Sequence, residues 1–182
     1  MKNSTILLML CLAFIACKED SLGPSNPEHP ITAGLKLADV NSLASSFRLM
    51  RIHADSVRVD GCAFEWCYDY LDTSATPPSV RCYHATSNHV QFDSVSALPV
   101  GISLLTSSWF DSDSALYYAE HNGGSEFRVQ HPSVTIQASL GEDLGREPKP
   151  TWWISYFSQG IYLRLEIDAN TGALLTQLHS KS

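Results

Sequence analysis

Residues 150–172 read PTWWISYFSQGIYLRLEIDANTG, and this stretch decides the fold. Apolar and polar side chains alternate twice along it, with the apolar positions at Trp152, Ile154, Tyr156, Ile161, Leu163, Leu165 and Ile167. A period of two predicts antiparallel strands that bury one face of a sheet and leave the other in water. The residues from 168 to 172 predict a turn after the second strand, and Gly172 is suited to a positive φ within it.

A further strand and a helix are predicted upstream of this stretch. Apolar residues alternate in the same way at Val134, Ile136, Ala138 and Leu140. Asp111 is placed to cap the N-terminus of a helix, because its side chain can accept a hydrogen bond from the first turn. That helix carries an apolar face formed by Ala115, Leu116 and Ala119, and residues 122–124 are expected to end it. The second half is therefore predicted to be a helix followed by an antiparallel sheet.

The first half of the chain is predicted to repeat this plan. Asp39 is placed to cap a short helix with an apolar face formed by Val40, Leu43, Ala44 and Phe47. At a nearly constant offset, Met50, Ile52 and Ala54 match Val134, Ile136 and Ala138, while Trp66, Tyr68 and Tyr70 match Trp152, Ile154 and Tyr156. The sequence thus predicts an α+β fold of two similar helix-plus-antiparallel-sheet units, over residues 35–106 and 107–182. The alternative is that two unrelated α+β stretches align by chance.

The second half resembles a PepSY domain. The resemblance covers Asp111 to Leu175 and is carried by residues 114–119, by the strand Pro150–Tyr156 and by the hairpin Glu166–Gly172. It implies a cystatin-like topology, an exported or membrane-attached module and no catalytic residues. The first half matches the architecture but lacks the Asp-Ala-x-Thr-Gly motif. The tandem layout is also similar in outline to that of β-lactamase-inhibitor proteins.

The first residues indicate export. Lys2 precedes an apolar run over residues 6–16, which is too short to span a bilayer as a helix. Small Ala16 stands directly before Cys17, so residues 1–16 are predicted to be a signal peptide. The segment Phe14–Cys17 resembles the lipobox of bacterial lipoproteins, with Phe14 in place of the usual leucine. This resemblance implies that Cys17 is acylated and anchors the protein by its lipid.

The residues after Cys17 indicate a localisation signal and a flexible tether. Residues 18–20 resemble the export tag of some Bacteroidetes surface lipoproteins. We therefore expect an outer-membrane anchor, with the protein on the periplasmic side or on the cell surface. Residues 17–34 hold three prolines and few apolar side chains, which predicts a flexible tether. An ordered N-terminal arm is the alternative.

Composition argues against several kinds of function. The formal net charge is −7 and the 12 basic residues are scattered, so a nucleic-acid partner is not expected. No pair among the seven histidines has the spacing of a zinc site. The loop from 168 to 179 lacks the ligand positions of a calcium loop, and no phosphate-binding glycine motif occurs. The sequence therefore predicts no metal and no cofactor.

The cysteines after Cys17 are Cys62, Cys67 and Cys82, and an exported compartment permits a disulfide. A hairpin turning around Ala75 would place Cys67 opposite Cys82 on the outward face. We therefore predict a Cys67–Cys82 disulfide. The same register would set Glu65 opposite His84, and we interpret that pair as a surface ion pair rather than an acid and a base of a catalytic site.

Trp153 must point away from the core, because Trp152 and Ile154 take the inward positions of the same strand. It would stand beside Tyr162 and Arg164, and these three form a candidate surface for binding a partner or for packing between the halves. The first hypothesis is a non-catalytic protein-binding or inhibitory module, tethered to the membrane by lipid. The alternatives are a small envelope hydrolase with a site between the halves and a purely structural envelope component. The sequence shows no nucleophile and base at a recognisable spacing, which favours the first.

Overall fold

The computed structural model describes residues 27–99, 103–106, 108–142 and 149–180. Their strands are β1 Arg48–Ala54, β2 Trp66–Asp72, β3 Ser79–Ala85, β4 Val90–Ala97, β5 Thr135–Glu142, β6 Pro150–Ser158, β7 Ile161–Asp168 and β8 Leu174–His179. All eight belong to one antiparallel sheet in the order β4-β3-β2-β1-β5-β6-β7-β8. Each half of the chain thus contributes a four-stranded meander, and the two meanders meet where β1 lies beside β5.

The predicted α+β fold of two helix-plus-sheet units is wrong, since the described chain is mostly β and its strands form a single sheet. β1 and β5 are hydrogen-bonded to each other, with Ile52 opposite Leu140 and Ala54 opposite Ala138. In separate units both strands would be edges, with a row of unpaired backbone groups beside apolar side chains. Pairing the two strands removes both edges and joins the two apolar faces into one.

The alternation predicted from the sequence is confirmed on the buried face of the sheet. The following side chains are at most 4% exposed: Met50, Ile52, Ala54, Trp66, Tyr68, Tyr70, Ile136, Ala138, Leu140, Trp152, Ile154, Tyr156, Leu163, Leu165 and Ile167. The rings of Trp66 and Trp152 meet edge to face with their centroids 6.3 Å apart. This contact joins the two meanders through the core, because each meander supplies one of the two rings.

Three short α-helices occur in the described residues, α1 Leu37–Leu43, α2 Ser112–Ala119 and α3 Ser125–Gln130, and a π-helical segment Glu120–Gly124 joins the last two. Asp111 caps α2 as predicted, and its carboxylate accepts a hydrogen bond from the backbone N–H of Ser112 at 2.7 Å. The predicted apolar face of α2 is confirmed, since Ala115, Leu116 and Ala119 are fully buried. Gly123 does not end the helical segment but kinks it at φ +109°, and α3 follows.

The first helix differs from its prediction. α1 begins after Lys36 and contains Asp39 in its first turn, so Asp39 is not the cap. Val40 and Ala44 are buried as expected, but Leu43 is 56% exposed. The helix is only seven residues long, about two turns.

Residues 31–34 pack against the sheet and do not form the end of a tether. Ile31 exchanges two backbone hydrogen bonds with Ala63, at 2.8 and 2.9 Å. The indole N–H of Trp66 donates to the Ile31 carbonyl at 2.8 Å. Ile31 and Ala33 are fully buried, so the ordered-arm alternative holds for this stretch. Residues 1–26, with the predicted signal peptide and Cys17, lie outside the described residues.

The predicted register of the β2–β3 hairpin is wrong by two residues. Cys67 lies opposite His84, and Cys82 lies opposite Asp69. The predicted register also keeps Pro77 and Pro78 in the loop, but it would set Ser79 opposite Tyr70 and leave Leu71 and Asp72 unpaired. In the observed register the ladder ends at the pair of Asp72 and Ser79, so both prolines stay in the loop.

Candidate functional site

A groove of about 440 Å³ crosses the open face of the sheet, opposite the buried one. It lies over β1, β5, β6 and β7, where the two meanders join. Its lining includes Arg51, His53, Ser139, Trp153, Arg164 and Glu166. These residues point outward because their neighbours in sequence occupy the buried face. The groove therefore brings side chains of both halves into one depression.

Trp153 lies in the groove, as its outward position predicted. It is directly opposite Ser139 on β5 and Glu166 on β7. Its indole lies over Gly141, where an added Cβ would come 3.2 Å from the Trp153 ring. The absence of a side chain at Gly141 thus makes room for the flat ring on the sheet surface.

Arg164 lines the groove beside Trp153, opposite Ser155 in the β6–β7 pair. Its Nε atom is buried and has no hydrogen-bond partner. A buried donor without a partner costs free energy, and such a group in a groove is a natural place for a ligand acceptor. The Nε atom of Arg164 is therefore a hydrogen-bond donor in this groove with unused capacity.

Tyr162, the third member of the predicted surface, lies away from the groove. It is opposite Phe157, and the two rings are 6.3 Å apart. Tyr162 is 37% exposed and Phe157 is 40% exposed. The structure thus brings Trp153 and Arg164 together in one groove and places Tyr162 in a separate aromatic pair on the same face.

The wall of the groove on β1 is fixed by a carboxylate on β2. Arg51 Nε donates to Asp69 Oδ2 at 2.8 Å, and His53 Nε2 lies 3.6 Å from the same oxygen. Burial alone would raise the pKa of Asp69, but the His53 ring and the Arg51 guanidinium outweigh it and hold that pKa below its usual range. The positive charge of Arg51 is therefore already neutralised by Asp69.

A second cluster lies on the same open face, over β2 and β3. The ligand atoms of Cys67, Cys82 and His84 all lie within 4.8 Å of one another. Both cysteines are free thiols in the structure, and the register from which the Cys67–Cys82 disulfide was predicted is wrong. The neighbouring Cys67 thiol, together with burial, raises the pKa of Cys82. Cys62 is buried and is disulfide-bonded outside this cluster.

His84 is held in this cluster by carboxylates. Its Nδ1 lies 2.8 Å from Glu65 Oε1, which confirms the contact expected between these two residues. Its Nε2 lies 3.4 Å from Cys67 Sγ and 3.6 Å from Asp93 Oδ2. Burial opposes the charged form of His84, but the nearby Glu65 outweighs it and raises the pKa of the imidazole.

Reasoning from the sequence missed most of these neighbours. Arg51, His53 and Ser139 occupy the polar positions of strands that were correctly predicted, and only the β1–β5 pairing places them beside Trp153. The thiol–imidazole cluster was missed because the histidines were compared only with one another for zinc spacing, and Cys67 and Cys82 were assigned to a disulfide. The relevant signal is the hairpin register, which sets His84 across from Cys67.

No family model and no curated protein matches this chain. The resemblance to PepSY domains is therefore not confirmed. The fold is similar to that of the crystal structure of a putative lipoprotein, CD1622, from Clostridium difficile 630, with a TM-score of 0.50. The similarity covers 79% of this chain and 90% of that chain at 9% sequence identity, and it shows the fold alone. Among the described residues, no helix is both long enough and apolar enough to span a bilayer.

Proposed function

We propose that this chain is a lipid-anchored bacterial envelope protein that acts as a non-catalytic binding module, with the groove over β1, β5, β6 and β7 as its protein-binding surface. One observation carries the proposal: Arg164 offers a buried Nε donor without a partner beside the indole of Trp153. Tryptophan and arginine at the centre of a depression are the residue types that dominate binding energy at protein interfaces. Where the partner is an enzyme, the same contact would be inhibitory.

The chemistry of the groove favours a partner that presents a carboxylate. Arg51 already pairs with Asp69, whereas the Arg164 guanidinium can bind a carboxylate through two parallel hydrogen bonds. The Trp153 ring supplies an apolar surface next to it. A volume of about 440 Å³ accommodates one or two side chains of a partner segment. An aspartate or glutamate next to an apolar residue fits this pair of groups.

The membrane anchor is supported by the sequence before the described residues. The apolar run that ends at Ala16–Cys17 has the form of a lipoprotein signal. The protein with the similar fold, CD1622, is itself described as a putative lipoprotein. An anchor of two or more acyl chains holds a protein stably on a bilayer. Cys17→Ser should therefore move the protein from the membrane fraction to the soluble one. A wild-type protein that fractionates as soluble would contradict the anchor.

Site-specific photocrosslinking in the producing cell tests the binding surface. A photoreactive amino acid at Ser155, opposite Arg164, should give one discrete crosslinked product. The same amino acid at Val129, which is 82% exposed on α3, is the matched control and should not give that product. Arg164→Gln should reduce the Ser155 crosslink at least tenfold while the melting temperature is unchanged. Equal crosslinking from both positions, or a product that is insensitive to Arg164→Gln, would contradict the proposal.

A second candidate function, a hydrolase, is favoured by one arrangement in the same groove. Ser139 is directly opposite His53, and His53 Nε2 lies 3.6 Å from Asp69. These are the residue types of a nucleophile, a base and an orienting acid. No hydrogen bond joins the Ser139 hydroxyl to the His53 ring, although both residues are described, and the Asp69 carboxylate is already engaged by Arg51. Hydrolysis of activated esters that is lost in Ser139→Ala would favour the hydrolase over the binding module.

A further inference from the structure

We propose that Cys67, Cys82 and His84 form a binding site for a thiophilic d¹⁰ metal ion, zinc(II), on the open face of β2 and β3, with Asp93 of β4 as the fourth ligand. This site is distinct from the groove, and its existence does not depend on the proposed binding function. Two thiolates, an imidazole and a carboxylate are a donor set that zinc accepts in tetrahedral sites.

The spacing of the donor atoms matches tetrahedral coordination. With zinc–sulfur bonds of about 2.3 Å and zinc–nitrogen bonds of about 2.0 Å, sulfur and nitrogen ligands stand about 3.5 Å apart around one ion. The observed distance from Cys67 Sγ to His84 Nε2 is 3.4 Å. The donor atoms of Cys67, Cys82 and His84 lie within 4.8 Å of one another, so one ion reaches all three after small side-chain rotations.

The register of the hairpin explains why these side chains meet. Cys67 and His84 are directly opposite in the β2–β3 pair, and Cys82 lies two residues before His84 on the same face. Diagonal neighbours on one face of an antiparallel pair are within reach of each other. The three side chains therefore converge without any strain on the backbone.

A β-bulge brings Asp93 to the cluster. Cys82 pairs with Ser94 and Tyr83 with Phe92, so Asp93 is the extra residue on β4 that has no direct partner on β3. Bulges redirect the side chain of the extra residue. The Asp93 carboxylate lies 3.6 Å from His84 Nε2, close to the oxygen–nitrogen separation of about 3.4 Å expected around a tetrahedral zinc ion.

Glu65 supplies the outer contact that a metal-binding histidine needs. Its carboxylate lies 2.8 Å from His84 Nδ1. When this nitrogen carries the proton, Nε2 is left free to bind the ion, and it points toward the sulfur of Cys67. Imidazole ligands of zinc usually have such a carboxylate or carbonyl behind them.

Binding would release protons and join three strands. Each thiol gives its proton to solvent as the sulfur–zinc bond forms, and no electron is transferred. The ion would cross-link β2, β3 and the edge strand β4, whose outward residues are largely exposed. We therefore expect zinc to raise the melting temperature of the full-length reduced protein in proportion to its occupancy.

Zinc titration of the reduced, metal-free full-length protein tests the site. One equivalent of zinc should bind, and cobalt(II) in its place should show the sulfur-to-metal charge-transfer absorption of thiolate ligands. Cys82→Ser and His84→Gln should each weaken zinc binding at least tenfold. His121→Gln, at a histidine on the far α2–α3 segment, is the control and should bind as the wild type does.

A second measurement uses only the wild-type protein, so the test does not depend on whether the variants fold. Zinc should protect Cys67 and Cys82 of the wild-type protein from alkylation, and a chelator should restore the labelling. Absence of a bound equivalent, or alkylation that is insensitive to zinc, would overturn the proposal. A Cys67–Cys82 disulfide in protein taken directly from the envelope would also overturn it, because a disulfide leaves no thiolate for the metal.

Discussion

Arg51 and Asp69 face each other across β1 and β2, and two nitrogens of the arginine contact one oxygen of the carboxylate. Nε lies 2.8 Å and a terminal nitrogen 2.6 Å from Asp69 Oδ2. The Asp69 side chain is only 8% exposed. This ion pair lies between the groove, which Arg51 lines, and the thiol cluster, since Asp69 is directly opposite Cys82.

Arg51→Gln should destabilise the fold by about 1–3 kcal/mol at pH 7, because it leaves a nearly buried carboxylate with only the His53 ring beside it. The pKa of Asp69 is lowered in the folded protein. Its ion pair therefore contributes full stability above the unfolded pKa of about 3.9, and this contribution is lost as the pH falls through the folded pKa. The difference between variant and wild type should shrink as the pH falls below about 4, which urea unfolding at several pH values measures.

The matched control for this prediction is Arg58→Gln. Arg58 contacts Asp60 at 3.0 Å, but its side chain is 59% exposed. Exposed ion pairs contribute about 0–1 kcal/mol, so this variant should lose little stability at any pH. Equal losses in the two variants would contradict the view that burial of Asp69 makes its ion pair matter.

Ser112→Ala should lower the free energy of unfolding by about 1–3 kcal/mol, although it removes a single oxygen atom. Ser112 is fully buried at the start of α2. Its hydroxyl accepts from the Ala33 N–H at 2.9 Å and donates to the Gly61 carbonyl at 2.7 Å. Its removal leaves both backbone groups unsatisfied inside the protein. Ser114→Ala, on the same helix but only half-buried, should be close to neutral in the same chemical unfolding experiment.

Gly172→Ala and Gly160→Ala separate backbone strain from steric overlap. Both glycines have a positive φ, +75° at Gly172 and +85° at Gly160. An added Cβ would overlap the Tyr118 ring at position 172 and meets nothing within 4 Å at position 160. Gly160→Ala should therefore cost only the left-handed backbone penalty of about 1–2 kcal/mol. Gly172→Ala should cost at least 1 kcal/mol more in thermal or urea unfolding, and equal losses would mean that Tyr118 moves aside freely.

The individual strands of this fold can be predicted from the sequence, whereas the strands with which they pair cannot. Alternation at Trp152, Ile154 and Tyr156 identifies a half-buried strand, because the period of two is a property of the strand itself. The β1–β5 pairing depends on which strand edges of the two meanders are left unpaired, and no pattern within a single strand shows this. The predicted fold class was wrong for this reason, although the predicted strands were correct.

The residues of the candidate site likewise divide into those that the sequence predicts together and those that only the strand pairing brings together. Trp153 and Arg164 were predicted together because they lie outward on adjacent strands of one hairpin, β6–β7. Arg51 and His53 come from the other half and reach the groove only through the β1–β5 pairing. The register at Cys67 and Cys82 was predicted wrongly because the prolines do not decide it: residues 77 and 78 stay in the loop in both registers. The observed register differs in that Leu71 and Asp72 also pair, with Val80 and Ser79.

The adjacent tryptophans Trp152 and Trp153 test whether Trp153 serves binding or packing. Trp152 is fully buried, donates its N–H to the Phe110 carbonyl at 3.0 Å and packs against Trp66. Trp152→Ala should therefore cost about 3–5 kcal/mol. Trp153→Ala should cost about 1 kcal/mol or less, because the ring lies on the open face and only partly covers Gly141. Urea unfolding of the two variants under identical conditions measures the contrast.

The two outcomes for Trp153 have different consequences for the groove. If Trp153→Ala keeps its stability but loses the crosslink from Ser155, the indole contributes to the bound state rather than to the fold. If its unfolding free energy falls as far as that of Trp152→Ala, the ring holds the β1–β5 junction together from the outside. In that case Arg164 alone would remain as the anchor of the proposed binding surface, and a single guanidinium without an adjacent aromatic ring lacks the composition of an interface hot spot.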